Sequence, residues 1–516
     1  MKLGKKASAA VLAASLLAGS VALITPKPTM AEEIAINESE VSVMAAATST
    51  VTLPQSNEAP KYIFMFIGDG MAHSQVNAAQ IYKGTIKDAA AVEIESLEFT
   101  KFPVVGNVYT QDATSFAPDS ASTATSIASG VKTHSGVIGM YEDKVTPVTT
   151  IAELLQDEGY KIGVVSTVTL NHATPAAFYA NVSSRNDYYD IGLQMADSGF
   201  DYFGGGALNN STNSGQSEDI YDIMRANGYT ISMDKDEILD FNSDSGKVYA
   251  INPVLVGGAM PYALDTTSES LELADFVQKG IDVLDNENGF FMAVESGKID
   301  WAGHANDAMS NIADTIAFDE AIQVAIDFYN QHPEDTLILV TGDHETGGMT
   351  LGQATTGYDT AFDLLKHQTI SYELFDDKVD QFAAEYPDAV FNDMLPMIEQ
   401  YFGLVTADNA HNAKNDLLVL SDYEYRKLEE SFYQSMLAKA DRDNSIESQI
   451  AYGGYDPLTI TLTHVLNNKA GVGWTSYAHT GLPVAIYALG NGQENFGGSY
   501  NNTDIFNRLA TLCNVN

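Results

Sequence analysis

The sequence of 516 residues predicts an α/β protein, a three-layer α/β/α sandwich with a mostly parallel central sheet and a large insertion, a cap or crown, late in the chain. Two observations predict it. Short, almost wholly apolar runs recur at 62–68 (YIFMFIG), 161–167 (KIGVVST), 289–295 (GFFMAVE), 336–342 (TLILVTG) and 483–490 (PVAIYALG), as strands covered by helices on both faces require. Between them stand segments with apolar residues at helical spacing, among them 150–158 and 269–284, the first closed by Gly159.

Taken in order, residues 1–31 read as a signal peptide. Lys2, Lys5 and Lys6 precede an apolar run from Ala7 to Ile24, and Thr29-Met30-Ala31 offers a small-residue cleavage site. The run is short for a spanning helix and no lipid-acceptor cysteine follows it, so the expectation is export to the periplasm or the extracellular space, without a membrane anchor. Residues 32–60 lack periodicity, end in Pro60, and read as a linker or disordered arm. The core is expected over 61–352 and again over 461–516, where the run at 483–490 completes the sheet. Residues 353–460 break the rhythm: they are rich in Tyr, Asp and Glu, lack comparable buried strands, and read as an acidic insertion or cap.

Charge and cysteine usage narrow the chemistry. Lys and Arg number 26 against 69 Asp and Glu, a formal net charge of −43, which argues against nucleic acid or an anionic membrane surface as partner. The only cysteine, Cys513, cannot form an intramolecular disulfide or build a cysteine metal module. Any metal must be held by His and carboxylate.

In open α/β sheets ligands bind outside the carboxyl ends of the strands, so the polar residues that follow each apolar run are the ones to inspect. Asp69 follows the first run. Glu295 ends the third, with Asp300 and His304 after it; Asp343 and His344 follow the fourth, and His479 precedes the fifth. Asp300 and His304 stand at i and i+4, one face of a helical turn, as two ligands of one ion require. Singly, each piece has a plainer reading as a turn, a loop or a surface pair. Their joint placement points to a metal site: imidazole with carboxylate suits Zn²⁺, and an all-oxygen remainder suits Mg²⁺.

Pro118-Asp119-Ser120, ahead of a small-residue helical stretch, marks a helix N-terminus with Ser120 in its first turn, facing free N–H groups. No Gly-x-Ser-x-Gly elbow surrounds Ser120, so a metal would be needed to ionise it. Arg185, after the turn that follows 161–167, is a candidate oxyanion fork.

Six motifs in order, FIGDGM (66–71), PDSASTATSIASGVKT (118–133), HATPAA (172–177) followed by SSR (183–185), VESGKIDWAGHAND (294–307), VTGDHETGG (340–348) and GWTSYAHTG (473–481), resemble those of the alkaline phosphatase family. The resemblance covers roughly 60–350 and 470–516 and implies an alkaline phosphatase catalytic core in two parts. It also implies hydrolysis of small phosphate monoesters through a phosphoserine on Ser120, at two Zn²⁺ and one Mg²⁺, with broad specificity and a homodimer. Carried over residue by residue, Asp69 bridges one zinc and the magnesium, and Asp343, His344 and Ser120 complete that zinc. Asp300, His304 and His479 hold the other zinc, Thr174 and Glu295 join Asp69 at magnesium, and Arg185 clamps phosphate. His172 and Trp301 stand at two variable substrate-side positions, as in cold-adapted marine members. A sulfatase is a poorer match, because Ser120 is followed by Ala, Ser, Thr and Ala where that enzyme needs Pro and Arg.

Overall fold

The computed structural model describes residues 59–515, so the expected signal segment and all but the last two residues of the 32–60 arm lie outside the described residues. Ten strands form one sheet. They are β1 (Tyr62–Gly68), β2 (Val104–Tyr109), β3 (Lys161–Ser166), β4 (Tyr202–Gly205), β5 (Tyr229–Ser232), β6 (Lys247–Ile251), β7 (Phe290–Ser296), β8 (Thr336–Gly342), β9 (Val484–Gly490) and β10 (Gly498–Asn501). The order is β10-β2-β9-β8-β1-β7-β3-β4-β6-β5. Every pairing is parallel except the two made by β9, which runs antiparallel to β2 and β8.

All five expected strands are present, and the mostly parallel character holds. The run at 483–490 does not close the sheet: β2 and β10 lie outboard of β9, and their half-exposed, glycine-containing sequences hide them from an apolar-run reading. Strand β1 shows why its neighbours are apolar on both faces. Tyr62, Phe64 and Phe66 enter one buried cluster, while Ile63, Met65 and Ile67 enter the other, as the two-residue period of a strand dictates.

The helices that bear on the site are α1 (Ser120–Ser129), α2 (Ala173–Ala176), α3 (Lys298–His304), α4 (Ala308–Tyr329) and α5 (Tyr372–Glu385). Helix α1 packs Ala121, Ala124 and Ile127 into the cluster that holds Ile63, and α4 packs Ile312 and Phe318 into the cluster that holds Phe64. Helices therefore cover both faces of the sheet.

Residues 353–460 are helical and contribute no strand to the ten-stranded sheet. Phe375, Phe391 and Phe432 from this region belong to the same cluster as Phe64, so its interior is continuous with the core. The chain leaves for this region at Thr350–Leu351 and returns at Val472–Gly473, and the two pieces pair antiparallel. A second short ladder, Thr346 with His479 and Glu345 with Thr480, encloses it in sequence. Among the described residues no helix is long and apolar enough to cross a membrane.

Candidate functional site

The adjacent carboxyl ends of β8, β1, β7 and β3 deliver the polar residues. Asp69 follows β1, with Gly70 at φ +71° making the turn; Glu295 lies in the last turn-ward residues of β7; Asp343 and His344 follow β8. A Cβ on Gly70 would stand 2.9 Å from the Asp300 Cα, so this position needs glycine for space as well as for conformation. The Gly70 N–H donates to Asp343 Oδ1 at 3.1 Å, and the Thr123 hydroxyl donates to Asp343 Oδ2 at 3.1 Å.

Two clusters result, with the ligand-type atoms of each lying within 4.8 Å of one another. In the first, His344 Nε2 is 3.4 Å from Asp69 Oδ1 and 3.2 Å from Asp343 Oδ2. Ser120 Oγ joins it at 3.2 Å from His344 Nε2 and 3.5 Å from Asp69 Oδ1. Asp119 caps α1 by accepting the Ser122 N–H, which fixes Ser120 as the first helical residue. In the second cluster His304 Nε2 and His479 Nε2 are 3.0 Å apart, and each is 3.5 Å from Asp300 Oδ1. The i, i+4 spacing in α3 does place Asp300 and His304 on one face.

The outer nitrogens of these imidazoles fix their tautomers. His304 Nδ1 meets the Tyr477 carbonyl at 2.6 Å, and His479 Nδ1 meets the Pro118 carbonyl at 2.5 Å. A nitrogen facing a carbonyl must carry the proton, so in the neutral ring Nε2 presents its lone pair inward. Two such lone pairs beside a carboxylate oxygen form a tripod for a cation.

Electrostatics within the chain leave three of these carboxylates, Asp69, Asp343 and Glu295, uncompensated. Burial, reinforced by Asp343, raises the Asp69 carboxyl well above the usual carboxylate range. Burial likewise pushes Asp343 up to about 7, and Glu295 up to about 7 against the pull of the Ser166, Thr174 and Asp69 side chains beside it. Burial opposes ionisation of Asp300 too, but the neighbouring His304 and His479 hold its carboxyl low. Buried carboxylates crowded this closely are stable as anions only with a cation among them.

The donor set fits metal ions. Asp69 Oδ2, Thr174 Oγ1 and Glu295 Oε1 are buried on side chains that lie close together, and none has a hydrogen-bond partner of good geometry. Three neighbouring oxygens left without partners in a protein interior cost about 1 to 3 kcal/mol each, and an oxygen-seeking cation between them would remove that cost.

A cavity of about 310 Å³ opens onto this constellation, bordered by Ser120, Asp300, His304 and His479 together with His172, Arg185 and Trp301. Arg185 Nη1 donates to Asp119 Oδ2 at 2.9 Å. His172 is half-buried and held neutral: desolvation, then the Arg185 charge, lowers it to about 3. Its ring meets Trp301 edge-on, with centroids 5.9 Å apart. The sequence reading thus named residues that come together here, including Thr174 of α2, which lies beside Glu295. It missed Tyr372 and Tyr455, which also border the cavity, and the Asp119 carboxylate as the partner of Arg185. It also missed Thr346, whose hydroxyl donates to Asp300 and whose place two residues after His344 was the available signal.

A sequence model of the alkaline phosphatase family matches residues 60–515. The chain is 28% identical over 455 residues to alkaline phosphatase 3 of Bacillus subtilis (strain 168), spanning 86% of this chain and 87% of that one. It is 25% identical over 480 residues to an alkaline phosphatase of Schizosaccharomyces pombe, spanning 89% and 82%. Among solved structures, a cold-active alkaline phosphatase from the psychrophile Shewanella sp. shares the fold with a TM-score of 0.72 at 27% identity, covering 88% of this chain and 99% of that one. The chain belongs to the alkaline phosphatase family, a metal-dependent family of phosphoric monoester hydrolases.

Proposed function

We propose that this is an exported alkaline phosphatase that hydrolyses small phosphate monoesters through a phosphoserine on Ser120, at a site for two Zn²⁺ and one Mg²⁺. The observation that carries the reading is the pair of clusters flanking one buried serine at a helix N-terminus. Asp69, Asp343 and His344, with the Ser120 oxygen, would hold one zinc; Asp300, His304 and His479 the other; Asp69, Thr174 and Glu295 magnesium. When bound, the ions supply Lewis acidity, lowering the pKa of a hydroxyl and neutralising charge on phosphate oxygens.

The residues perform the rest. Ser120 loses its proton to solvent, and its Oγ attacks phosphorus as the bond to the ester oxygen breaks; the alkoxide that leaves takes a proton from water and departs as the alcohol. Water then attacks the phosphoserine, releasing inorganic phosphate and restoring the hydroxyl. Arg185, held by Asp119 through Nη1 alone, keeps its other N–H groups for two phosphate oxygens, and the first-turn amides of α1 favour the anion. His172 and Trp301 shape the substrate side of the cavity. The apolar N-terminal run behind three lysines supports export to the periplasm or beyond, and the family resemblance supports a homodimer.

The test is metal stoichiometry with activity. Purified protein should contain about two zinc ions and one magnesium ion per chain, lose hydrolysis of a chromogenic phosphate monoester on chelation, and regain it when both ions return. Full activity in protein shown by elemental analysis to be metal-free would reject the reading.

A further inference from the structure

Tyr372 and Tyr455 border the same cavity as Ser120 and Arg185, yet both lie in the acidic 353–460 region, outside every motif that carries the family chemistry. Together with Trp301 they make one wall of that cavity aromatic. Trp301 follows Asp300 directly, so this wall adjoins the tripod. In an attack by Ser120 in line with the breaking bond, the alcohol departs on the side away from Ser120. The cluster on that side is the tripod, because Ser120 itself sits against Asp69 and His344.

The wall is built to hold its shape. Tyr455 packs edge-on against Tyr372 with centroids 5.6 Å apart at 90°, and Tyr372 packs against Tyr262 at 5.7 Å, with their hydroxyls 3.3 Å apart. Behind Trp301 lies Lys298, whose side chain is completely buried. Its ammonium sits 4.5 Å from the Trp301 ring centre, 4.2 Å from that of Tyr262, and 2.8 Å from Glu373 Oε2 at the start of α5. One partly buried ion pair therefore ties the 353–460 region to the helical turn that carries Asp300, and the ammonium backs the indole. Tyr455 and Trp301 remain half-exposed, so ring surface is available to a guest.

We infer that Tyr455, Tyr372 and Trp301 form a subsite for the leaving alcohol that favours phosphate monoesters whose alcohol carries a planar aromatic ring. The inference rests on the phosphatase reading above and adds a substrate class to it. Rings already fixed by their neighbours bind a flat guest with little ordering cost, and an offset or edge contact adds to simple burial. Trp301 is a substrate contact in this scheme; Lys298 and Glu373 are positioning residues.

The experiment compares benzyl phosphate with ethyl phosphate on the metal-loaded full chain, since both release a primary alkoxide and differ in the ring. Tyr455→Ala should lower the benzyl-to-ethyl ratio of kcat/KM about fivefold to tenfold, and Tyr455→Phe should restore it. Binding of benzylphosphonate and ethylphosphonate, which cannot turn over, should show the same change in ratio by calorimetry. If Tyr455→Ala folds poorly, Tyr455→Leu is measured in the same way. A ratio within twofold of wild type in a folded variant overturns the inference, including when both substrates slow equally. Wild-type protein that hydrolyses neither ester would instead overturn the phosphatase reading on which the subsite depends.

Discussion

The Asp119 carboxylate serves two masters: Oδ1 accepts the Ser122 N–H and caps α1, while Oδ2 accepts from Arg185 Nη1 at 2.9 Å. The helix that presents Ser120 and the guanidinium offered to phosphate are thereby set by one side chain. Replacing Asp119 by Asn keeps an oxygen for the cap but removes the charge that orients Arg185. The inhibition constant for inorganic phosphate should rise about threefold to tenfold, because a looser Arg must be ordered on binding. Melting temperature should change little. An unchanged constant would mean that Arg185 is held by something other than Asp119.

Ser120→Ala should remove the phosphoenzyme that is trapped in acid with a labelled monoester, and cut turnover by about a thousandfold or more. Zinc content should stay near that of the parent, since Asp69, Asp343 and His344 remain. Phosphoenzyme at parental levels in the variant would place the nucleophile elsewhere.

His479→Ala removes one leg of the tripod while leaving its backbone ladder with Thr346 in place. About one zinc per chain should be lost on dialysis, with activity falling at least a hundredfold. Retention of the full metal complement, measured by elemental analysis on folded protein, would contradict the ligand assignment.

Away from the cavity, burial pushes the Asp314 carboxyl up to about 8, and the Ala263 N–H and Lys298 offset this only in part. In the unfolded chain such a group ionises near pH 4. Between about pH 4 and pH 8 the folded state thus holds a proton that the unfolded state has released. Stability from this group is complete below about pH 4 and is lost as pH rises through 8. Asp314→Asn keeps an acceptor for the Ala263 N–H and cannot ionise. It should gain about 1 to 3 kcal/mol over the parent at pH 8.5, and little at pH 5, in denaturant titrations. A parallel pH dependence in parent and variant would rule this out.

Much of the site was legible because its residues sit beside signals that sequence carries well. Asp69, Glu295, Asp343 and His344 end apolar runs, and Asp300 and His304 share a helical face. What was not legible depends on tertiary approach. Arg185 and Asp119 are 66 residues apart, and nothing in the local pattern of Tyr372 or Tyr455 announces a cavity. Lys298 lay inside a recognised motif and still went unread, since a lysine is ordinarily a solvated residue and this one is fully buried. Its position alters the meaning of Trp301. A lysine substituted there would meet the ammonium of Lys298, with one Glu373 to serve both, so the position suits an uncharged ring.

The tripod joins atoms separated by 175 residues, and the two short ladders that bring His479 home bracket the whole acidic excursion. Nothing shorter than that circuit yields a complete set of ligands. During synthesis the growing chain therefore exposes isolated His and Asp residues, each a weak and unselective trap, and acquires its high-affinity site only after the far end has been made and docked. If the chain is exported as proposed, metal selection is in this way deferred to the compartment where folding finishes, and its ion content would record that compartment's supply.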